Sequence, residues 1–313
     1  MFIVTGGAGF IGANLIAELN RRGITQILVV DNLKNSIKFR NLIDLKFDDY
    51  LDKHDFLNRI QEGDFDQASI QAIFHQGACS DTMEYDGSYM MENNYNYSKI
   101  LFHFAIANKI PFIYASSAAT YGASIQFSED QKNEGPLNIY GYSKLLFDRY
   151  VQRHLPDLDS PVSGLRYFNV YGPREHHKGR MASMVYQLRH QLQTTSIAPL
   201  FEGSGGYGPG EQRRDFIFVN DVAQVNLFLA EGPLKKGIFN VGTGTSRPFN
   251  DIAHILIAHL GLGTIQYKPM PDTLKDKYQS FTEAEITRLR ATGYDLPFTT
   301  LEEGIRATLA SPF

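Results

Sequence analysis

The residues of this sequence best suited to proton transfer are Tyr140 and Lys144, which lie four positions apart. On a helix the two side chains would share one face. A free tyrosine has a pKa of about 10, too high for a base at neutral pH, but a nearby ammonium favours the phenolate and lowers that pKa. The spacing therefore predicts that Lys144, together with a positively charged nicotinamide, lowers the pKa of Tyr140, although such a pair alone would also fit an ordinary exposed helix.

A run of hydroxyl side chains precedes this pair, at the end of a short apolar segment. Phe112–Ser116 is predicted to be a strand, and Ser117 follows it directly. In open α/β sheets, ligands bind at the carboxyl ends of the strands. We therefore expect Ser117 to hydrogen-bond a sugar hydroxyl or a ketone beside Tyr140.

A glycine motif near the start of the chain separates a predicted strand from a predicted helix. Gly6, Gly9 and Gly12 satisfy G-x-x-G-x-x-G, and Gly7 completes G-x-G-x-x-G. Such glycines permit a tight turn, let the backbone approach a pyrophosphate and let the helix pack on the strand. The pyrophosphate would then lie at the helix N-terminus, where free N–H groups favour anions. The motif therefore predicts a dinucleotide site.

Asp31 follows the second predicted strand, at the position where a carboxylate usually bonds the adenosine ribose and favours NAD. Lys34, Lys38 and Arg40 come soon afterwards and would supply the cations that the 2′-phosphate of NADP needs. The same basic residues would also suit a solvated loop. These residues alone leave both NAD and NADP open.

Apolar and amphipathic segments alternate along the first half of the chain. Such alternation is typical of βαβ units, which build a parallel sheet covered by helices on both faces. The predicted strands are Phe2–Thr5, Ile27–Val30, Ala72–His75 and Phe112–Ser116, and the predicted helices are Phe10–Arg22 and Tyr95–Asn108. The predicted fold class is α/β, with a Rossmann-type doubly wound parallel sheet.

The pattern changes after about residue 170. Gly172–Gly179 and Gly203–Gly210 are predicted to be loops, and Met181–Gln193 is predicted to be a helix. Asp215–Val219 and Ile238–Val241 have the apolar character of buried strands, so the chain is expected to return to the sheet there. We predict a dinucleotide-binding domain over residues 1–170, rejoined at about 215–245, and a smaller, discontinuous substrate-binding domain over residues 171–214 and 246–313.

Composition narrows the class of protein. The chain has 313 residues, a formal net charge of −4 and a single cysteine, Cys79. The negative charge argues against broad nucleic-acid binding, and one cysteine excludes an intrachain disulfide. No apolar run approaches the roughly 18 residues that span a bilayer, and no signal peptide is visible, so we expect a cytoplasmic protein with no membrane partner. His176 and His177 lack further ligand spacing, so no metal is expected.

Together these features resemble the extended short-chain dehydrogenase/reductase family, most of whose members act on nucleotide-diphosphate sugars. The similarity continues through Phe168–Arg174 and Arg214–Val222, which match landmarks of that family's substrate domain. Further segments are similar to the branch of the family that epimerises an ADP-activated heptose. These segments are Phe74–Ser80, Tyr89–Tyr95, Tyr171–Gly179 and Leu200–Ser204.

The resemblance implies a homopentamer that makes a precursor of the lipopolysaccharide inner core with tightly bound NADP, NAD being less expected. In this branch, hydride leaves C6 of the sugar, an aldehyde forms and turns, and hydride returns to its other face. Each direction needs its own acid/base group, and the resemblance assigns these roles to Tyr140 and Lys178, supported by Ser117 and Lys144. By its surroundings alone, Lys178 would be predicted to be a solvated surface lysine.

The resemblance and the glycine motif also imply two sets of binding residues. The cofactor set is Gly6, Gly9, Phe10, Ile11, Gly12, Asp31, Asn32, Lys38, Lys53, Gln76, Gly77, Ala78, Cys79, Ser80, Asn93, Lys144, Val170 and Lys178. The substrate set is Ser117, Asn169, Arg180, Gln187, Phe201, Glu202, Gly203, Ser204, Arg214 and Tyr278. Within the substrate set, Arg214 suits a diphosphate, because a guanidinium pairs with it through two hydrogen bonds.

The sequence departs from the pattern of the branch at Gln76, where glutamate is more common, and in a long 205–212 loop. Arg180 stands where a small serine is usual and Gln187 where a histidine is usual, so Arg180 is expected either to contact the diphosphate or to face solvent. A UDP-hexose 4-epimerase of the same fold remains the alternative function. A dehydratase is disfavoured because Ala118–Ala119 stands where its acidic pair would be, and a sensor without turnover would tend to lose Tyr140 or Lys144.

Overall fold

The computed structural model describes residues 1–66, 68–271 and 278–312 and contains a parallel sheet of seven strands. The strands of the chain are β1 (Phe2–Thr5), β2 (Ile27–Asp31), β3 (Asp49–Asp52), β4 (Ala72–His75), β5 (Phe112–Ser117), β6 (Val162–Tyr167), β7 (Asn169–Tyr171), β8 (Ile197–Phe201), β9 (Arg213–Phe218), β10 (Lys236–Val241), β11 (Ser246–Pro248) and β12 (Thr264–Lys268). The large sheet has the order β10-β6-β5-β4-β1-β2-β3, with every neighbouring pair parallel. The predicted doubly wound α/β fold is confirmed.

Helices cover both faces of this sheet. They are α1 (Phe10–Arg21), α2 (Lys53–Gln61), α3 (Gly87–Met91), α4 (Tyr97–Ala107), α5 (Ile139–His154), α6 (Met184–Thr195), α7 (Val219–Ala230), α8 (Phe249–Leu260), α9 (Thr287–Ala291) and α10 (Leu301–Ala310), and a π-helical turn, Glu92–Asn96, joins α3 to α4. Alternate residues of β1 face opposite sides, as the strand geometry requires. Val4 packs with Leu15 and Val222 on one face, and Ile3 packs with Phe102 on the other. None of the helices in the described ranges combines the length and apolarity needed to cross a bilayer.

The remaining strands form two small sheets beside the large one. Their orders are β11-β9-β7 and β12-β8, and α6, α8 and α10 pack with them around a third apolar cluster. Of the two strands expected to rejoin the large sheet, β10 does so, whereas β9 pairs with β7 and β11 instead. Continuous burial identified β9 as a strand, but an apolar pattern does not specify which strand is its neighbour.

Helix α6 also begins later than predicted. Gly179–Met181 forms a 3₁₀ turn, and Ser183 caps the helix by accepting a hydrogen bond from the backbone of Tyr186. A serine at this position satisfies one of the free N–H groups of the first turn. The cap therefore separates the 172–183 segment from the helix that follows it.

A buried ion cluster fixes α5 against the sheet. Arg166 on β6 is fully buried, and its guanidinium lies 2.6 Å from a carboxylate oxygen of Glu134 and 2.9 Å from one of Asp148. Tyr114 and Ser116 of β5 also donate hydrogen bonds to Asp148, at 3.0 and 2.8 Å. Because Asp148 belongs to α5, the cluster sets the height of that helix above β5 and β6.

Replacing Arg166 by methionine (Arg166→Met) would leave the buried carboxylate of Asp148 without its cation and that of Glu134 with Arg149 alone. Breaking a buried ion pair in this way costs about 3–5 kcal/mol, and we expect that loss in the free energy of unfolding measured with guanidinium chloride. Arg149→Met is the matched control, because Arg149 pairs with the same Glu134 at 3.0 Å from a half-exposed position. It should cost less than about 1 kcal/mol. Equal losses for the two variants would contradict the assignment.

Candidate active site

A cavity of about 840 Å³ opens at the carboxyl ends of the parallel strands. Its wall is built by the turn between β1 and α1, the ends of β2, β4 and β5, the start of α5, and the segment after β7. Every residue of the predicted cofactor set lines it, and so do the proposed catalytic residues Ser117, Tyr140, Lys144 and Lys178. This edge is where doubly wound folds bind their ligands.

The glycine turn leaves no room for side chains between β1 and α1. Gly6 has a φ of +67°, a left-handed conformation that favours glycine. A Cβ atom at Gly12 would collide with the carbonyl oxygen of Gly6, so the first turn of α1 packs directly against the turn. No described side chain caps α1 at Gly9. The first N–H groups of α1 are therefore available to an anion in the cavity.

Asp31, at the end of β2, is already surrounded by donors. Its carboxylate accepts hydrogen bonds from the backbone N–H groups of Ala8 and Asn32, at 2.9 and 2.7 Å, and from the ammonium of Lys38 at 2.8 Å. A second ammonium, that of Lys53, also lines this end of the cavity, and burial, assisted by a nearby lysine, lowers the pKa of Lys53. This end of the cavity therefore carries two cations and one carboxylate.

The start of α5 positions the tyrosine and the lysine. Asn138 caps the helix by accepting a hydrogen bond from the backbone of Gly141, and Tyr140 and Lys144 lie one turn apart on the cavity wall. The ammonium of Lys144 donates to the carbonyl oxygen of Ala115 at 2.8 Å, and burial lowers the pKa of Lys144 to about 8.

Burial dominates the electrostatics of Tyr140. Burial raises the pKa of Tyr140, and a hydrogen bond with Ser117 opposes that rise only in part. Loss of solvation dominates and the ammonium of Lys144 is held by the carbonyl of Ala115, so the lowering expected from Lys144 together with a charged nicotinamide stays a prediction.

Lys178 is not the solvated lysine that its sequence surroundings suggested. Its side chain is 20% exposed, and its ammonium lies 3.3 Å from a carboxylate oxygen of Glu175 and 4.6 Å from the centre of the Phe10 ring. Glu175 itself is buried. Because Phe10 belongs to the first turn of α1, Lys178 stands at the cavity wall near the glycine turn.

The segment that carries Lys178 is tied to the loop that follows β2. Arg174 forms a two-pronged ion pair with Asp44, at 2.8 and 2.6 Å, and donates to the backbone carbonyl of Asn41. The side-chain amide of Asn41 lies 3.3 Å from a ring nitrogen of His177, and Asn35 donates to the His177 carbonyl. Burial lowers the pKa of His177 to about 4, so its ring is neutral near pH 7.

Two of the predicted substrate residues line the cavity, and six others do not. Ser117 and Asn169 line the cavity, whereas Phe201, Glu202, Gly203, Ser204, Arg214 and Tyr278 do not. The guanidinium of Arg214, only 7% exposed, lies 5.0 Å from the centre of the Tyr278 ring, and Phe201 packs edge-on against that ring at 6.0 Å. Among the described residues no carboxylate pairs with Arg214, whose guanidinium donates a hydrogen bond to the carbonyl of Arg213.

Arg180 and Gln187 lie outside the cavity as well. The guanidinium of Arg180 is 66% exposed and pairs at 2.7 Å with Asp81, a residue of the cavity rim. Gln187 donates hydrogen bonds to the backbone carbonyls of Arg180 and Ala182, at 3.3 and 2.7 Å. Of the two positions considered for Arg180, the structure therefore shows the exposed one, with the charge matched by Asp81.

One residue that connects the site was missed from the sequence. Asn94, in the π-helical turn, exchanges hydrogen bonds with both backbone groups of Cys79 and donates to the hydroxyl of Ser143. That hydroxyl donates in turn to the carbonyl of Tyr140 at 2.7 Å. The neighbouring Asn93, a member of the predicted cofactor set, was the one indication in the sequence. Asn94 itself was not predicted, because the extra residue of a π turn breaks the helical periodicity by which faces are predicted.

Comparison with known proteins gives the family. The family described as "NAD dependent epimerase/dehydratase family" matches residues 2–242. A curated ADP-L-glycero-D-manno-heptose-6-epimerase from Alkalilimnicola ehrlichii is 54% identical over 306 residues, which cover 98% of this chain and 95% of the relative.

Two solved structures share the fold over nearly the whole chain. The Helicobacter pylori ADP-L-glycero-D-manno-heptose-6-epimerase has a TM-score of 0.85 at 35% identity, covering 98% of this chain and 94% of its own. Thermus thermophilus UDP-glucose 4-epimerase, in complex with NAD, has a TM-score of 0.79 at 25% identity, covering 98% and 97%. The chain belongs to the NAD dependent epimerase/dehydratase family.

Proposed function

We propose that the protein inverts C6 of ADP-D-glycero-β-D-manno-heptose to give the L-glycero epimer. The observation that carries the proposal is that Tyr140 and Lys178, from separate segments, line one cavity together with the glycine turn of α1. Inversion through a carbonyl needs two proton-transfer groups, because the oxygen points in different directions before and after the sugar turns. The identities of 54% and 35% to enzymes with this name favour it over the UDP-hexose alternative, represented at 25%.

The cavity fits a dinucleotide because the backbone at Gly6 and Gly12 is bare and the N-terminus of α1 faces it uncapped. When bound, the dinucleotide supplies the hydride acceptor and donor. Ser117 would hydrogen-bond the reacting oxygen, Tyr140 would move its proton at the phenolic oxygen, and Lys178 would do so at its nitrogen after the sugar turns. Oxidation at C6 gives a ketone, which replaces the expected aldehyde, because C6 of a heptose is bonded to both C5 and C7.

We further propose that the cofactor is NADP. In support, Asp31 already accepts hydrogen bonds from two backbone groups and is paired with Lys38, so its charge does not repel a phosphate. Lys53, at the same end of the cavity, adds a second cation. Two lysines beside a matched carboxylate suit a 2′-phosphate better than a bare ribose hydroxyl.

The remaining expectations stand as proposals, which rest partly on the resemblance and partly on the sequence pattern. They are a homopentamer, a cytoplasmic location, a role in lipopolysaccharide inner-core biosynthesis, and a division into a dinucleotide-binding domain (1–170, with 215–245) and a substrate-binding domain (171–214 and 246–313). The pairing of β10 with β6 in the large sheet supports this division, whereas β9 pairs with β7 outside that sheet.

The direct test is incubation of the purified protein with ADP-D-glycero-β-D-manno-heptose, followed by separation of the two epimers by anion-exchange chromatography. We expect conversion without added cofactor, and release of NADP from the protein on denaturation. Release of NAD would contradict the cofactor proposal alone. No conversion by a folded protein supplied with NADP and NAD, together with epimerisation of a UDP-hexose, would replace the proposed function by its alternative.

The acid/base assignment is tested by Tyr140→Phe and Lys178→Met. General acid–base catalysis contributes roughly 10²–10⁴-fold, so each variant should lose about that much in kcat with a much smaller change in KM. Tyr142→Phe is the matched control, since Tyr142 lies on the same helix with its side chain exposed. A kcat for either variant within about threefold of the control would refute the role of that residue.

The diphosphate site is tested by Arg214→Met against Arg180→Ser. A charge-assisted hydrogen bond contributes about 1.5–3 kcal/mol, so loss of the Arg214 guanidinium, which has no carboxylate partner among the described residues, should raise KM roughly 10- to 100-fold. Arg180, whose exposed guanidinium pairs with Asp81, should change KM by less than about threefold when replaced. The reverse order of effects would show that Arg180 is the residue in contact with the diphosphate.

A further inference from the structure

We propose that Glu175 is a positioning residue that holds Lys178 as an ammonium at the cavity wall and thereby sets the pH range in which Lys178 exchanges its proton. The inference rests on the proposed function, in which Lys178 is one of two acid/base groups. It adds a residue that touches neither cavity nor ligand, since Glu175 lies behind the cavity wall.

Glu175 is a buried carboxylate whose two oxygens are both occupied. One oxygen accepts from the hydroxyl of Ser183 at 2.6 Å and, at 3.4 Å, from the backbone of Gly172. The other accepts from the backbone of Ser183 at 2.7 Å and from the Lys178 ammonium at 3.3 Å. Lys178 is the charged member of these four donors. A buried carboxylate is costly without compensation, so the pair stabilises Glu175 as well as Lys178.

The backbone turns so that the two side chains meet. Arg174 has a φ of +74°, and the Lys178 N–H donates to the Glu175 carbonyl at 2.9 Å, which places residues 175 and 178 on one side of the turn. Ser183, the other partner of Glu175, is the N-cap of α6. Glu175 therefore links Lys178 to the first turn of α6, a rigid element.

The charges around Lys178 leave Glu175 as its acidic partner. His177 beside it is neutral near pH 7, since burial lowers the pKa of His177 to about 4. Of the other groups that face this segment, Lys38 is paired with Asp31, Arg174 with Asp44 and Arg180 with Asp81, and His176 contacts the Ile37 carbonyl. The Phe10 ring at 4.6 Å adds a second attraction for an ammonium over a neutral amine.

This pairing has a kinetic consequence. Epimerisation needs one member of the Tyr140–Lys178 pair to accept a proton and the other to donate one, so the active form carries a single proton across the pair. Removing the negative charge of Glu175 makes the ammonium of Lys178 easier to deprotonate. The limb of the pH profile of kcat that belongs to Lys178 must then move to lower pH, whichever limb it is.

The first experiment compares pH profiles of kcat for the wild type, Glu175→Gln and Ser183→Ala. An opposite charge at such a distance shifts a titration by about one pH unit or more, so Glu175→Gln should move one limb down by about one unit. Ser183→Ala removes a hydrogen bond to Glu175 and the helix cap but no charge, and should leave both limbs in place. A uniformly lower kcat with unmoved limbs in Glu175→Gln would overturn the proposal and leave Glu175 a structural residue.

Glu175→Asp provides a second variant if the glutamine protein does not fold. It keeps the charge but withdraws it by one methylene, so its limb should move down by less than one unit while its folding, followed by circular dichroism, is retained. Limbs that move upward in either variant would contradict the proposed sign. The proposal is also overturned if the limbs of both Glu175→Asp and a folded Glu175→Gln stay within about 0.2 pH units of the wild type.

A readout that does not depend on turnover separates this inference from the proposed function. Lysines methylated with ¹³C-formaldehyde report their protonation by NMR, and Lys178→Arg identifies the Lys178 signal. We expect this signal to titrate about one pH unit lower in Glu175→Gln than in the wild type. If the wild type shows this difference but no epimerisation, the proposed function fails and the pairing stands. If it epimerises and the signal titrates identically in both proteins, the pairing is refuted.

Discussion

The common direction of the seven strands is the constraint on which the rest of the structure depends. Because all of them run parallel, their carboxyl ends meet at one edge, and each connection must cross a face of the sheet as a helix. Gly6 and Gln76 follow β1 and β4, and Asp31 and Ser117 end β2 and β5. Residues far apart in sequence therefore reach one cavity because of where their strands end. The location of the site is therefore set by the topology of the sheet, and its chemistry by the particular side chains.

The buried charges of the frame and the buried charge beside Tyr278 differ in how they are compensated. In the frame, Arg166 is matched by two carboxylates and Asp215 accepts hydrogen bonds from three backbone N–H groups and the hydroxyl of Thr243. In the cluster beside Tyr278, Arg214 is buried without a carboxylate among the described residues. Burying an unmatched cation costs stability, and burial lowers the pKa of Arg214 accordingly. Such a cost is reasonable where an anionic ligand completes the pair.

Sequence patterns predicted the parts of the fold that depend on local periodicity. The strand β4 has its predicted bounds, and β2 and β5 are each one residue longer. The partner of β9 could not be predicted, because burial along a strand carries no information about its neighbour. The position of Asn94 depends on a π turn, which an average helical period cannot show.

The candidate site also has parts that the sequence predicts and parts that only the folded structure determines. The glycine motif and the order of the strands predicted a dinucleotide site at this edge of the sheet, because both act through backbone geometry. Most members of the cofactor set came from the resemblance, and all of them line the cavity. The environment of Lys178 could be approached only through resemblance, since its partners Glu175 and Phe10 come from a folded turn and from a distant helix. The pKa of Tyr140 depends on how much solvent the fold removes, which its spacing to Lys144 does not reveal.

The contacts between the 35–44 loop and the 172–178 segment have a thermodynamic consequence. Asn35, Asn41 and Asp44 bind the backbone and side chains of the segment that carries Lys178, while Lys38 of the same loop lines the nucleotide end of the cavity. Because the two segments are joined in this way, ordering one of them also orders the other, and the loss of conformational entropy occurs only once. A nucleotide that orders the loop therefore reduces the entropic cost of a ligand that orders Lys178, and by linkage the second ligand tightens the first by the same factor. Under the proposed function, this coupling would help the protein to keep its nucleotide through turnover, in addition to direct contacts.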